Sequence, residues 1–249
     1  MKYNNIIVNK YNDHVMHLIL NRKNKYNALN NELTCELVDA LKKCDQSKLI
    51  KCIIISGSDN FCAGADIHEL SLDPDFIYKW EFIDNIKKPI IAAVDGIAYG
   101  GGNELLLMCD IILASKSAKF SQPEISLGLI CGGGGTQRLP EKIGKGKAME
   151  LCLTGDVVTA EEAKNIGLVN HVYDETILIE NAIRIANEIS LKPIEAIIST
   201  KKLIKDAFND SLKSGLKEEK SIFFKLLKTN DGVEGMNAFL EKRRPKFKN

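Results

Sequence analysis

The sequence lacks the features that would place it in a membrane, in a disulfide-stabilised scaffold or on nucleic acid. No apolar run approaches the roughly 20 residues that a membrane-spanning helix needs. The seven cysteines are odd in number and form no C-x-x-C pair, which argues against a disulfide framework and a zinc ribbon. Lysine and arginine total 34 against 33 acidic residues, too small an excess to bind nucleic acid through overall charge.

The N-terminus also lacks an apolar signal sequence and the arginine- and serine-rich character of an organelle presequence. Most cysteines lie in apolar runs, as reduced and buried thiols do, so we expect a cytoplasmic protein. Apolar residues make up 45% of the 249, which is ample for a buried core. The chain is therefore expected to be globular, with one large domain or a domain and an appendage.

Buried strands alternate with helices in the first half of the chain, which predicts an α/β fold with right-handed crossovers. The fourth strand-like run, Ile90–Val94, leads to the triplet Gly100-Gly101-Gly102 and to a helix predicted to start at Asn103. From Thr136 onward the pattern is mostly helical. Strands are predicted at 6–8, 15–20, 52–56, 90–94, 110–114 and 168–172, and helices at 30–44, 136–143, 145–153, 160–165, 177–191, 193–208, 211–228 and 231–242.

Two polar features have ordinary interpretations. Lys42, Lys43, Lys48 and Lys51 follow one another at the end of the first helix and beyond, where we expect a solvated basic face. His17 interrupts an otherwise apolar strand, and we interpret it as a structural residue with a hydrogen-bonded ring.

Glu104 and Glu124 are the strongest candidates for chemistry. Each is a lone carboxylate among apolar residues and close to glycines, which leave backbone N–H groups accessible to a ligand. Desolvation raises the pKa of such a carboxyl group and suits it to general acid or base catalysis near neutral pH. The alternative is that each is an ordinary surface glutamate.

Three motifs carry a resemblance to a known family. FCAGADI (61–67), YGGGNEL (99–105) and SQPEISLG (121–128) resemble the core motifs of the enoyl-CoA hydratase (crotonase) family. GGGGTQRL (132–139) and LTGDVVTAEEAKNIGLVNHV (153–172) resemble its downstream pattern, so that the resemblance extends over about 6–247.

The resemblance implies a crotonase-like spiral of ββα units as the core (1–190) and a helical C-terminal region (191–249). This region would support trimerisation and pack on the core or on a neighbouring subunit, in a homotrimer or a homohexamer. It also implies an enoyl-CoA hydratase, which adds water reversibly to a trans-2-enoyl-CoA to give a 3-hydroxyacyl-CoA. Such an enzyme acts in fatty-acid or related acyl-CoA metabolism and needs no metal and no cofactor, because coenzyme A is part of the substrate.

Site residues follow from the same resemblance. The backbone N–H groups of Ala65 and Gly101 would form an oxyanion hole, which is a pair of donors for the negative charge on the thioester oxygen. Glu104 would activate the water and Glu124 would donate the proton, with the N–H of Gly132 near the water. Substrate binding is assigned to Lys25, Ala28, Ala63, Ala65, Asp66, Ile67, His68, Gly101 and Gly132, whereas Lys242, Arg243 and Arg244 are read first as a charged helix end and second as phosphate contacts.

Asn103 and Cys131 depart from the residues common at these positions in familiar hydratases, which leaves loop rigidity and acyl preference open. A reactive-thiol role for Cys131 has little support, because no base is evident near it in the sequence. The alternatives within the family are a specialised hydratase of the methylglutaconyl-CoA type and an enoyl-CoA isomerase. A further alternative is an RNA-binding relative with a lysine-rich first helix.

Overall fold

A computed structural model describes residues 2–248 and contains two β-sheets surrounded by helices. The larger sheet has six strands in the order β1-β2-β3-β4-β6-β9, and the smaller has three in the order β5-β7-β8. The strands are β1 (Ile6–Lys10), β2 (Val15–Leu20), β3 (Cys52–Gly57), β4 (Ile90–Val94), β5 (Ile97–Tyr99), β6 (Ile111–Ser115), β7 (Lys119–Ser121), β8 (Val158–Thr159) and β9 (His171–Tyr173).

The large sheet is parallel except for the hairpin of β1 and β2, in which Ile6 pairs with Leu20. Its central strand β3 is buried on both faces: Ile53 and Ile55 pack into the main core, and Ile54 packs into a second cluster on the other face. This explains the uninterrupted apolar run of the strand, which is typical of parallel sheets covered on both sides.

A repeated unit connects the two sheets. β4 and β6 pair in parallel in the large sheet, while β5 and β7, which follow them along the chain, pair in parallel in the small sheet. Each repeat of this unit thus contributes one strand to the large sheet and one to the small sheet. The spiral of ββα units expected from the resemblance is therefore present.

Helices cover the sheets and form the C-terminal part of the chain. The side chain of Asn30 caps the first helix, and Thr159 and Glu162 form the predicted capping box. The α-helices are α1 (Asn31–Gln46), α2 (Ile67–Leu72), α3 (Glu81–Asp84), α4 (Gly101–Leu107), α5 (Gly135–Ile143), α6 (Lys145–Thr154), α7 (Ala160–Asn165), α8 (Leu178–Ser190), α9 (Ile194–Asp206), α10 (Leu212–Leu227) and α11 (Asn230–Leu240), with 3-10 helices at Lys23–Lys25, Pro74–Trp80, Pro123–Leu127 and Glu175–Ile177.

Several predicted boundaries differ from the structure, and two of the differences have identifiable reasons. Helix α4 begins at Gly101, two residues before the predicted Asn103, because tertiary packing overrides the low helix propensity of glycine there. The strand predicted at 168–172 is only His171–Tyr173, since Leu168 and Val169 are buried in the core before the strand begins.

The interpretation of Lys51 as part of a solvated face was also wrong. Lys51 is only 3% exposed, and its ammonium group donates to the carbonyl oxygens of Ser190 (2.8 Å) and Lys192 (3.3 Å) at the end of α8. Burial lowers the pKa of this lysine. Carbonyl groups at a helix C-terminus have no intrahelical partner, and the lysine satisfies them inside the protein.

His17 occupies the structural position expected of it. Its ring is 1% exposed and contacts the hydroxyl groups of Tyr11 (3.1 Å) and Ser56 (2.8 Å). Burial lowers the pKa of His17 to about 4, so the ring is neutral near neutral pH.

The C-terminal helices carry many exposed apolar side chains, including Phe223, Phe224 and Phe239. Arg243 pairs with Glu234 and Glu241, as expected of a charged helix end. Among residues 2–248, no helix combines the length and apolar character needed to cross a membrane. The division of the chain at residue 190 stays a prediction.

Candidate active site

Glu104 lies in the first turn of α4, immediately behind the glycine triplet, and is 2% exposed. The helix can begin there only with glycine: a Cβ atom at Gly101 would lie 2.5 Å from the Trp80 ring, and one at Gly102 would lie 2.2 Å from the carbonyl oxygen of Cys62. The triplet therefore lets α4 approach two neighbouring segments closely, and this places the carboxylate inside the protein.

The second glycine cluster holds this carboxylate. The backbone N–H groups of Gly133 and Gly135 donate to Glu104 Oε1 over 2.7 Å and 2.8 Å. A Cβ atom on Gly133 would lie 2.8 Å from Glu104 Oε2 and 2.6 Å from the ring of Trp80. Glycines at 132–135 thus give Glu104 two fixed donors for one oxygen and leave Oε2 without a hydrogen-bond donor among the described residues.

Glu124 faces the same space from the 3-10 helix Pro123–Leu127. Both of its carboxylate oxygens are buried and have no hydrogen-bond partner among residues 2–248. One ligand atom from each of Glu104, Glu124 and Cys131 lies within 4.8 Å of the other two. The sequence prediction that the two glutamates meet in one place is therefore consistent with the geometry.

Burial raises the pKa of both carboxyl groups above the ordinary glutamate value. For Glu104, the nearby charge of Glu124 raises the pKa further, while the N–H groups of Gly135 and Gly133 act in the opposite direction by stabilising the anion. Because the two groups interact, their titration belongs to the pair. The N–H donors favour Glu104 as the member that carries the negative charge.

Two backbone N–H groups next to the carboxylates have no acceptor. A Cβ atom at Gly101 would lie 3.2 Å from the nitrogen of Ala65, and one at Gly64 would lie 3.3 Å from the nitrogen of Gly101, so the two segments are in contact. Neither the Ala65 nor the Gly101 N–H donates a hydrogen bond to the described part of the chain. This arrangement offers two adjacent donors to a ligand.

All of the residues predicted to bind substrate except Gly101 and Gly132 come from two segments that pair with each other. The Ala63 N–H donates to Tyr26 O (2.9 Å), and the Leu29 N–H donates to Gly64 O (2.7 Å). Of the predicted substrate-binding residues, Gly101 is buried, four are half-buried (Ala28, Ala63, Ala65 and Asp66) and four are exposed (Lys25, Ile67, His68 and Gly132).

Asp66 has structural partners of its own. Its carboxylate pairs with Arg22 (2.6 Å) and caps α2 by accepting from the N–H of His68 (3.1 Å). Asp66 therefore fixes the turn that presents Ala65, and its contact with substrate stays a prediction, as do those of Lys25 and His68.

Several residues at the site were missed by sequence reasoning. Trp80 is 3% exposed and packs against both glycine clusters, and Arg138 donates to Gly133 O (2.7 Å) and pairs with Asp84. The Gly133 and Gly135 N–H groups contact Glu104, and the placement of the Gly132 N–H near the water stays a prediction. The available signals were that Trp80 is the sole tryptophan of the sequence and that Arg138 belongs to the second glycine motif.

Two cavities border this region. The smaller, about 230 Å³, is lined by Trp80, Arg138 and residues 132–134 and reaches Glu104 through Gly133. The larger, about 1030 Å³, lies at the far end of α4 between the core and α8 and α9, and neither glutamate lines it. Neither glutamate lines the smaller cavity either, so the candidate active site is the space on which the two carboxyl groups converge, beside the Ala65 and Gly101 N–H groups.

Comparison with known proteins agrees with the geometry. A family model described as enoyl-CoA hydratase/isomerase matches residues 10–249. The chain belongs to the enoyl-CoA hydratase/isomerase family. This family member is 44% identical to a probable enoyl-CoA hydratase of Rhizobium meliloti, with 93% of each chain covered, and 44% identical to the mitochondrial enoyl-CoA hydratase of Pongo abelii, with 92% of this chain and 82% of the relative covered.

Solved structures of enoyl-CoA hydratases have the same fold as this chain. An enoyl-CoA hydratase from Geobacillus kaustophilus superimposes with a TM-score of 0.95 at 36% identity and covers 100% of this family member and 99% of that chain. An enoyl-CoA hydratase from Bacillus anthracis has a TM-score of 0.94 at 37% identity, with 98% and 99% covered. The crotonase-like fold predicted from the motifs is confirmed.

The buried carboxyl pair predicts how the stability of this family member depends on pH. Since the pKa of each glutamate is raised in the folded state, the folded protein binds more protons than the unfolded chain above the ordinary value of 4.5. This contribution to stability is fully present below that value and is lost as the pH rises through the folded-state pKa values. Glu124→Gln removes one of these groups. As the pH rises, the free energy of unfolding of the variant should therefore increase relative to that of the wild type.

Urea unfolding from about pH 5 to about pH 8 measures this difference. Glu219→Gln, which changes an exposed glutamate on α10, serves as the control and should track the wild type. A constant difference between Glu124→Gln and wild type across this range would contradict the prediction.

Proposed function

We propose that this chain is an enoyl-CoA hydratase, which adds water reversibly to trans-2-enoyl-CoA thioesters and forms 3-hydroxyacyl-CoA products. The observation that carries the proposal is the meeting of two buried carboxyl groups, Glu104 and Glu124, beside a pair of N–H donors without acceptors. The family and its relatives named enoyl-CoA hydratase support the same activity.

The first requirement of the reaction is to stabilise negative charge on the thioester oxygen. The N–H groups of Ala65 and Gly101 bind that oxygen and make C3 of the substrate electrophilic. Loss of one donor of this kind costs about 3–4 kcal/mol of barrier in other enzymes. The ring of Trp80 packs against Gly101 and fixes its N–H group. The ion pair of Arg22 and Asp66 fixes the turn that contains Ala65.

The second requirement is a base that activates water for attack at C3. Glu104 takes this role because Oε1 is held by two N–H groups, so that the anion is stabilised and Oε2 remains to accept a proton from water. The fixed geometry of the carboxylate orients the water and lowers the entropy cost of the attack.

The third requirement is an acid that protonates C2. Glu124 takes this role in its protonated form, because burial raises its pKa and no second chain segment supplies fixed N–H donors to its oxygens. The contrast between the two environments assigns base and acid within the pair. The thiol of Cys131 and the N–H of Gly132 complete the wall of the water site.

The alternative functions lack a comparable observation. By resemblance, relatives that isomerise enoyl-CoA generally lack one of the two glutamates, and both are present here. Binding of RNA through the first helix is disfavoured because Lys43 of that helix already pairs with Asp39 and Lys51 is buried.

The remaining parts of the proposal concern binding and assembly. Coenzyme A runs along the paired segments that contain Lys25, Ala28 and residues 63–68, and the enzyme uses no cofactor beyond the coenzyme A of its substrate. The exposed apolar side chains of α10 and α11 form contacts between subunits in a homotrimer or a homohexamer, in the cytoplasm.

Hydration of crotonyl-CoA by the purified protein tests the proposal. The absorbance of the conjugated enoyl thioester should fall with time, and mass spectrometry should find a product heavier by one water. A 3-enoyl-CoA should react far more slowly. A protein inert towards crotonyl-CoA and towards longer trans-2-enoyl-CoA thioesters, or one that isomerises faster than it hydrates, would refute it.

A further inference from the structure

Cys131 adds a third potential ligand to the two carboxyl groups, and the proposed hydration reaction leaves it without a chemical step. Its side chain is buried, and its sulfur belongs to the group of three ligand atoms that lie within 4.8 Å of one another. One sulfur and two carboxylates therefore converge on the same small volume.

We propose that Glu104, Glu124 and Cys131 form a binding site for a thiophilic divalent cation such as Zn²⁺, which inhibits the enzyme by occupying the place of the reacting water. The ion is an inhibitor here and not a cofactor. Binding itself is independent of the activity proposed above, and only the inhibitory consequence rests on it.

The open ligand atoms support this site. Both oxygens of Glu124 are buried without a partner among residues 2–248. Glu104 is only 2% exposed, and among residues 2–248 both of its hydrogen-bond donors bind Oε1, so that Oε2 has none. Buried carboxylate oxygens are normally paired, so unfilled ones that face a common space indicate a ligand.

The combination of sulfur and oxygen determines the kind of cation. Mg²⁺ and Ca²⁺ prefer oxygen ligands alone and a larger number of them, whereas Zn²⁺ accepts thiolate and carboxylate ligands in a tetrahedral arrangement. In a tetrahedral site with bonds of about 2.0–2.3 Å, two ligand atoms lie about 3.3–3.8 Å apart. The three ligand atoms lie within 4.8 Å of one another, and they must move closer together when the ion binds.

The binding step has a simple proton balance. The Cys131 thiol loses its proton when sulfur bonds to the ion, and a protonated Glu124 loses its proton when its oxygen binds. Both protons go to solvent, no electron is transferred, and water supplies the fourth ligand. Zinc affinity should therefore increase with pH and should fall when substrate occupies the site.

Calorimetric titration with zinc chloride tests the site on three proteins: wild type, Cys131→Ala and Cys35→Ala. We expect a Cys131-dependent site with one zinc per chain, and a loss of affinity of at least about 100-fold in Cys131→Ala, since even outer-shell changes cost 10–100-fold. Cys35 is an exposed cysteine on α1, away from the cluster, and its replacement should leave the titration unchanged.

Cobalt provides a readout that a merely structural effect of the substitution would not produce. Co²⁺ bound through Cys131 should give a sulfur-to-cobalt charge-transfer band, which should be present in Cys35→Ala and absent in Cys131→Ala. Zinc should inhibit crotonyl-CoA hydration reversibly in wild type, with a chelator restoring the rate, and each variant is compared with its own zinc-free rate. If Cys131→Ala does not fold by circular dichroism, Cys131→Ser replaces it.

The outcomes separate this site from the proposed function. Equal zinc affinity in wild type and in the folded Cys131 variant, or a cobalt complex without the charge-transfer band, would overturn the metal site. Zinc binding that depends on Cys131 in a protein without hydratase activity would leave the metal site standing and refute the proposed function instead.

Discussion

Replacing Glu104 or Glu124 with glutamine should lower the rate of crotonyl-CoA hydration by about 10³-fold or more, within the range of 10² to 10⁴ that general acid or base groups contribute. Glutamine keeps the size of the side chain but cannot take a proton from water at position 104 or give one to C2 at position 124. The double variant should be about as slow as the slower single variant, because the two groups act in one step.

Steady-state kinetics and unfolding measurements on the same preparations check this prediction. Glu219→Gln, an exposed change on α10, should retain the wild-type rate. The reduction should appear in kcat much more than in KM, since neither carboxyl group is needed to hold coenzyme A. Near wild-type kcat in either folded single variant would remove that glutamate from the mechanism.

Replacing Gly101 with alanine should reduce kcat by about 10²–10³-fold, the cost of losing one oxyanion-hole donor. The new Cβ atom would lie 2.5 Å from the Trp80 ring and 3.2 Å from the nitrogen of Ala65, so the start of α4 must shift and misalign both donors. The variant should also unfold at lower denaturant concentration, since it overpacks the core and such changes typically cost about 1–3 kcal/mol.

Gly215→Ala is the matched control for this substitution. Gly215 lies inside α10, and a Cβ atom there would meet nothing within 4 Å. Alanine should therefore stabilise the protein by about 0.5–1 kcal/mol through helix propensity and leave kcat unchanged. Equal effects of the two substitutions on kcat would show that the close contact at Gly101 has no part in catalysis.

Much of the fold could be predicted because its strands follow simple patterns. The strand Val15–Leu20 and the strand Ile90–Val94 have the predicted boundaries, and burial of Ile53, Ile54 and Ile55 follows from an uninterrupted apolar run. The start of α4 could not be predicted, since helix propensity disfavours glycine. Glycine is needed at position 101 because the ring of Trp80, 21 residues earlier in the sequence, packs against it.

The candidate site could be predicted in part. The two glutamates stood out by their apolar and glycine-rich surroundings. The partners of Glu104, by contrast, are the backbone N–H groups of Gly133 and Gly135, and only the three-dimensional path of the chain selects these from a run of four glycines. Lys51 was misjudged for the same reason, because its acceptors at Ser190 and Lys192 are far away in sequence.

Trp80 gives the protein a built-in spectroscopic reporter. It is the one tryptophan in the sequence, and its indole ring packs against Gly101 and Gly133, with its N–H directed to Thr34. Emission from tryptophan therefore originates entirely at the wall between the N–H donors and the carboxylate. Quenching or spectral shifts during a titration would report events at that wall directly, without an attached dye and without emission from a second tryptophan.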